Sequence, residues 1–289
     1  MWDLIWSVCC SSIIFVVFKL FKTYKADTFH AIIINYFTAL GVGLLVYQQP
    51  VPLGELSQKT WLPGAILLGG FFILIFNLMA ATSQRLGVSV ASVATKMSLA
   101  IPVIAGLILY DEHLNPLQFL GIGLALLAVY FTAYKEKRPG LNTEPRTMLL
   151  PLMVFLGSGI IDTSIKYLQE TRVPETEYPL FSAIVFGFAG FTGIAALLIK
   201  RPETLIRFKA VNVLGGIVLG IPNFFSIFFL LRALKFDGLN SASIFTLNNV
   251  AIVMLTTLIG IVLFKESLSP RNWIGILLAI ISILLISFL

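Results

Sequence analysis

The stretch Ser158-Gly-Ile-Ile-Asp162-Thr-Ser-Ile-Lys166 lies inside a long apolar run yet holds an acid and a base. Asp162 and Lys166 are four residues apart, so on a helix they share one face. A charge at bilayer depth costs roughly 2.5–3.5 kcal/mol on insertion scales, and chains keep such residues where a partner, a cavity or a function offsets that cost. An earlier stretch, Ser11-Ser-Ile-Ile-Phe15-Val-Val-Phe-Lys19, matches at the first serine, both isoleucines and the lysine, with Phe15 in place of Asp162. The chain therefore reads as doubled, with copies that differ at the acid.

Composition sets the class. Of 289 residues, 58% are hydrophobic and 12% charged, against roughly 25% charged in soluble domains. Mean hydropathy is +0.95. A soluble fold of this size could not hide so much apolar surface, so an all-α integral membrane protein is expected. The net charge of +6 reads as membrane orientation, since most basic residues fall in short loops; no nucleic-acid partner is expected. The start, Met1-Trp2-Asp3, has no basic region before the first apolar run, so a cleaved signal peptide is not expected. Adjacent Cys9 and Cys10 have no ligand spacing and read as packing residues.

About ten helices of the ~20 residues a bilayer requires fit the chain. They are expected near residues 3–22, 28–48, 61–82, 88–110, 115–134, 147–167, 178–200, 208–232, 239–264 and 270–288. The polar stretch 135–146, with its charges, prolines and glycine, separates a first five-helix repeat (1–134) from a second (147–289). The repeat extends past the opening stretches. Glu112, Leu114 and Pro116 correspond to Glu266, Leu268 and Pro270, and Gly121, Ile122, Leu124 and Ala125 to Gly275, Ile276, Leu278 and Ala279. An odd number of spans per copy inserts the second copy upside down, giving two inverted five-helix repeats, a hallmark of secondary carriers.

These features resemble the drug/metabolite transporter superfamily, and most closely its EamA-type branch. In the first copy the run from Pro102 through Glu112 to Pro116 carries the resemblance. In the second, Lys265-Glu266-Ser-Leu268-Ser-Pro270 does, but Thr256 stands where the proline is expected. The resemblance covers nearly the whole chain. It implies ten helices, a cavity between the halves, movement of small organic solutes, and both termini in the cytoplasm. The distribution of lysine and arginine, by the positive-inside rule, implies both termini outside.

Candidate site residues follow from their depth. Asp162 is placed to carry a coupling proton or bind a cationic group; the bland alternative is an ion pair with Lys166 or Lys96. Lys96, near the middle of the fourth helix, would meet a carboxylate or phosphate. Lys19 and Lys166 sit at equivalent helix ends and either snorkel to the interface or stand at the mouths of the cavity. Pro102 and Pro222 are expected to kink their helices. Asn77, Asn223, Asn248 and Asn249 are amides at depth, suited to a substrate or to interhelical hydrogen bonds worth roughly 0.6 kcal/mol each. Asn35 and Tyr36 line the site or join helices. Gly216-Ile-Val-Leu-Gly220 is read as close packing between the copies, with a homodimer contact as the weaker reading. Glu112 and Glu266 lie at helix ends in short turns, where capping or surface solvation suffices to explain them. His30 and His113 lie at helix margins, and with no metal-spaced cluster or phosphate loop, no metal or other cofactor is expected.

The expected function is a secondary carrier of the inner cell membrane, working by alternating access on small, amino-acid-like metabolites, with export implied by the family. Its partners would be membrane lipid and a small-molecule substrate. The rivals are an intramembrane enzyme acting on lipid or isoprenoid, which would need convergent acids, and a non-transporting scaffold or sensor with a collapsed centre.

Overall fold

The structure is a computed structural model that describes residues 2–47, 53–109, 116–134, 145–200, 209–233 and 241–288. Glu112, His113 and Leu114 of the first-copy turn, linker residues 135–144 and the basic stretch 201–208 lie outside the described residues. Among the described residues the regular structure is helical throughout: α1 (Trp2–Thr23), α2 (Thr28–Tyr47), α3 (Leu53–Leu56), α4 (Leu62–Arg85), α5 (Val88–Met97), α6 (Ala100–Leu109), α7 (Pro116–Ala133), α8 (Pro145–Thr171), α9 (Tyr178–Lys200), α10 (Ala210–Ala233), α11 (Ser241–Val262) and α12 (Pro270–Phe288). Among the described residues seven stretches are long and apolar enough to cross a membrane, α5 and α6 counting together as Val88–Gly106, and three shorter apolar helices accompany them. The protein is an all-helical, multi-pass membrane protein.

Local chemistry sets the helix ends. Lys25 adopts φ 53°, and the Ala26 N–H returns to the Phe21 carbonyl at 2.9 Å, closing α1 with a left-handed cap. Asp27 then opens α2, its Oδ1 accepting the N–H groups of Phe29 (3.0 Å) and His30 (3.2 Å). Ser269 and Asn272 cap each other at the start of α12. The fourth apolar run departs from the single helix expected over 88–110: it breaks at Ser98–Leu99 into α5 and α6. Pro102 has no N–H for the Ser98 carbonyl, which instead takes the Ile101 N–H at 2.9 Å in a tighter turn. The equivalent residue in the second copy, Thr256, keeps its N–H, and α11 runs unbroken through it. Pro222 lies inside α10, which also continues past it.

The chain forms two compact units. One comprises Met1–Lys19, Leu78–Ile160 and Phe225–Leu289; the other comprises Leu20–Asn77 and Ile161–Phe224. Each draws helices from both sequence halves.

In the first unit, equivalent helices pack on each other. A Cβ at Gly121 of α7 would stand 2.8 Å from Ile286 and 3.2 Å from the Ser282 carbonyl of α12. A Cβ at Gly275 of α12 would stand 2.6 Å from the Thr132 nitrogen and 3.0 Å from the Ala128 carbonyl of α7. Moving forward along α7 means moving backward along α12, so the two are antiparallel, and each glycine meets the residue that corresponds to the other's neighbour. That reciprocity is the signature of a local dyad. Ser282 Oγ adds a 2.7 Å bond to the Gly121 carbonyl. Around this seam lies the core of Val93, Met97, Ile122, Phe155, Val253 and Ile283. At the ends, Asn272 donates its amide to the Phe131, Thr132 and Tyr134 carbonyls at 2.9–3.1 Å, capping α7, and Arg271 stacks on Tyr134 at 4.3 Å.

In the second unit, α2 and α9 repeat the pattern. Leu40 lies against Gly187, Phe37 against Gly190, and Gly43 against Ala183, again antiparallel. Tyr36, Phe72, Phe76 and Phe186 form the aromatic centre. The α10 ladder Gly216 and Gly220 faces α2, where added Cβ atoms would meet the Ala31 carbonyl at 2.7 Å and the Asn35 carbonyl at 2.6 Å. That face is therefore occupied within the chain.

Outside the spans, Glu177 joins two connections of the second unit. Its carboxylate accepts Lys59 Nζ at 2.7 Å and Trp61 Nε1 at 2.8 Å, and buried Trp61 meets Phe181 edge-on at 5.6 Å. Hydrogen bonds from Lys59 and Trp61 hold the Glu177 carboxyl below its ordinary value of 4.5, and the bond to Glu177 raises Lys59 above 10.5. A lowered acid stabilises the fold above its ordinary value, and that stability is lost as pH falls through the folded value. A raised amine stabilises the fold below its ordinary value, and that stability is lost as pH rises through the folded value.

Two measurements check these features. Gly121→Val is expected to cost on the order of 1–3 kcal/mol, read as a lower melting temperature. Gly123→Val, where an added Cβ has nothing within 4 Å, should change stability by less than about 0.5 kcal/mol. The gap in melting temperature between wild type and Glu177→Gln should stay level from about pH 5 to 10 and close at the acid end.

Candidate functional site

Accessibility of polar side chains separates the candidates, because each membrane helix also shows which of its faces meets lipid. On α8 the exposed apolar side chains Leu149, Leu152, Met153, Leu156, Ile160 and Tyr167 form one stripe. Asp162 is exposed too, but at about 100° per residue it lies roughly 140° around the helix from the centre of that stripe. Its neighbours on that side, Pro151 and Phe155, are buried. Its accessible surface therefore belongs to the face turned away from the lipid stripe. Lys166 is partly exposed, with Nζ 4.0 Å from Glu170 one turn on.

On α11 the stripe is Leu247, Met254, Leu258 and Val262. Half-buried Asn249 lies about 180° from it. Lys96 is half-buried near the end of α5, a helix whose residues Val88 to Ala94 are buried on every side. The break at Ser98–Leu99 follows two residues later, with Ser98 Oγ bonded to the Thr95 carbonyl at 2.6 Å. Lys96 and Asn249 belong to the first unit and Asp162 to the second. Each presents accessible polar surface on a side of its helix that apolar exposure does not mark as lipid-facing.

The remaining candidates are engaged in packing. Asn223 of α10 donates to Asn35 Oδ1 of α2 at 3.2 Å, with both amides buried. Tyr36 is fully buried and gives its hydroxyl to the Phe72 carbonyl at 2.8 Å. Ser7 Oγ lies 3.0 Å from buried Asn248 Oδ1 and 2.9 Å from the Ser226 carbonyl, linking α1, α11 and α10. Asn77 is half-buried at the flank of the exposed stripe of Leu67 and Leu74, with its amide turned to the Ile73 carbonyl of its own helix at 2.7 Å. Buried Pro222 and half-buried Pro102 contribute backbone geometry.

Lys19 meets Glu266 at 3.6 Å, in a cluster not foreseen from the sequence. Glu266 Oε1 accepts the Val88 N–H at 2.8 Å and Oε2 the Ser89 hydroxyl at 3.2 Å. The acid thus caps α5, a helix far away in sequence, rather than its own turn. Gly87 (φ 122°) and Gly260 leave the room: a Cβ on either would lie 2.6–2.7 Å from the carboxylate. One turn along α5, Ser92 Oγ lies 2.6 Å from Thr256 Oγ1, which also reaches the Ile252 carbonyl one turn back at 2.7 Å. The available signal was Thr256 itself, a hydroxyl at the position where the repeat predicts proline.

Comparison with known proteins agrees with this architecture. The model of the EamA-like transporter family matches residues 3–134 and again residues 146–288. An uncharacterized protein of Haemophilus influenzae is 26% identical over 293 aligned residues, which cover 100% of this chain and 98% of that one. A crystal structure of a protein with 16% sequence identity superposes with a TM-score of 0.51, covering 98% of this chain and 96% of that chain; the likeness is one of fold.

The capping role of Glu266 is measurable. Glu266→Gln should destabilise the protein by roughly 1–3 kcal/mol in thermal or denaturant unfolding, because the Lys19 amine loses its counter-charge and the cap its ionic character. Lys19→Gln should cost less, and the double substitution should cost less than the sum of the two.

Proposed function

Because the chain belongs to the EamA-like transporter family, we propose that it is a secondary carrier of small organic metabolites, working by alternating access in the inner cell membrane. In this reading ten helices cross the bilayer as two inverted five-helix copies, 1–134 and 147–289, joined by 135–146. The antiparallel pairing of α7 with α12 and of α2 with α9 supports inversion, since equivalent helices run in opposite directions. The observation that carries the transport reading is the exposure of Asp162 on the side of α8 away from its lipid stripe. An ionisable group kept accessible there is suited to solute or proton traffic. Lys96 and Asn249 are accessible groups of α5 and α11 in the first unit. Amino-acid-like metabolites are the solute class assigned here, and export is the direction the family suggests.

Asp162 is assigned the coupling role. In proteoliposomes, amino-acid flux through the wild type should respond to an imposed pH gradient. Asp162→Asn should lose at least about tenfold of the gradient-driven flux while retaining gradient-independent exchange. Equal flux by both proteins, with and without the gradient, would remove coupling from Asp162. Labelling of single cysteines introduced near position 25 and position 59 from each side of the membrane decides the orientation that the basic residues and the family resemblance assign oppositely.

A further inference from the structure

The start of α1 and the end of α10 lie side by side in the first unit. Leu4 and Ala233 share a small core with Ile244, and Ser7 Oγ reaches the Ser226 carbonyl at 2.9 Å. Moving forward along α1 means moving backward along α10, so the two are antiparallel and both stop at the same level. At that level stand charges of both signs. Arg232 Nε lies 3.4 Å from Asp3 Oδ1, with the side chains 58% and 30% exposed. An ion pair so open to its surroundings contributes little to folding.

The neighbouring side chains mark this level as a membrane border. Trp2, Ile5 and Trp6 are exposed on one face of α1, and Ile227 and Leu231 are exposed on α10. Tryptophan favours headgroup depth, where its ring meets hydrocarbon and its N–H meets water. Beside the ion pair lies an aromatic floor. The Arg232 guanidinium sits 5.8 Å from the Phe228 ring centre, Trp6 meets Phe229 at 6.4 Å, and Phe225 stacks on Phe229 at 5.5 Å. Held over a ring in this way, the guanidinium keeps its terminal amino groups for a further acceptor.

We propose that Asp3, Arg232 and the Trp6–Phe229 floor form a headgroup site for a phospholipid with a primary ammonium, phosphatidylethanolamine. Its phosphate oxygens match the guanidinium fork of Arg232, and its ammonium donates to the Asp3 carboxylate. The acyl chains follow the exposed apolar face of α1 over Trp6. Charge complementarity selects this lipid. A headgroup carrying phosphate alone gains at Arg232 and is repelled by Asp3. Choline has the cation but no N–H to donate. The site concerns the lipid-facing flank of the first unit and does not depend on the carrier reading.

Native mass spectrometry of the full-length protein tests this. The protein is released from micelles holding equal amounts of phosphatidylethanolamine, phosphatidylcholine and phosphatidylglycerol with the same acyl chains, and the retained lipid is read directly. The wild type should keep phosphatidylethanolamine at least about threefold over either rival, the scale of one partly exposed charged contact. Asp3→Asn should lose the preference over phosphatidylglycerol, and Arg232→Gln should retain less of every phospholipid. Arg271→Gln, which removes a guanidinium from the start of α12, should leave the preference intact. Asp3 and Arg232 lie at helix ends with exposed side chains, so their variants should melt within a degree or two of the wild type. A wild type that holds all the lipids equally, or favours phosphatidylcholine or phosphatidylglycerol, overturns the inference. So does a preference that survives in both Asp3→Asn and Arg232→Gln, or one that Arg271→Gln abolishes equally.

Discussion

In hydrocarbon no water is present to complete a backbone hydrogen bond, so every N–H and C=O must be satisfied within the chain. Helices meet that demand along their length but leave donors and acceptors open at their ends and breaks. Much of the polar chemistry of this protein is spent there. Glu266 supplies the missing acceptor at the start of α5, Asn272 collects three carbonyls at the end of α7, and Asp27 opens α2. Asp27 acts within its own turn, whereas Glu266 and Asn272 come from parts of the sequence distant from the helices they cap. Satisfying a helix end and fixing which helices are neighbours are therefore one event.

Duplication provides the second organising principle. Glycines that recur in the two copies are the points where equivalent helices approach closely enough for backbone to touch backbone. Gly121 and Gly275 exchange contacts across the α7 and α12 seam, each accepting the segment that corresponds to the other's neighbourhood. Small residues matter at such seams because lipid gives no hydrophobic drive for helices to associate, leaving close van der Waals approach and hydrogen bonds. Both compact units are built around such a seam, so neither unit is a single sequence half.

Against this background of symmetry the departures stand out. Pro102 breaks the fourth helix of the first copy, and Thr256 leaves its equivalent whole while using its hydroxyl toward Ile252 and Ser92. Asp162 replaces what is Phe15 in the other copy, and Lys96 replaces what is Val250.

Composition and spacing by themselves determined that the chain is helical, membrane-embedded and doubled. Apolar runs of bilayer length admit few other structures, and paired motifs survive in the text of the sequence. The residues that combine charge with depth, Asp162 and Lys96, were equally legible, since a charge inside an apolar run needs no structure to be noticed. Which way they turn was not. Asn35, Asn223 and Tyr36 read the same as Asn249 in the sequence, yet the first three close on one another or on backbone and the last stays accessible. Glu266 read as a turn residue explained by capping or surface solvation, and in the structure it caps α5. Only packing decides such cases, because the partner of a polar side chain is set by which helices adjoin, and adjacency is a property of the folded chain rather than of any segment within it.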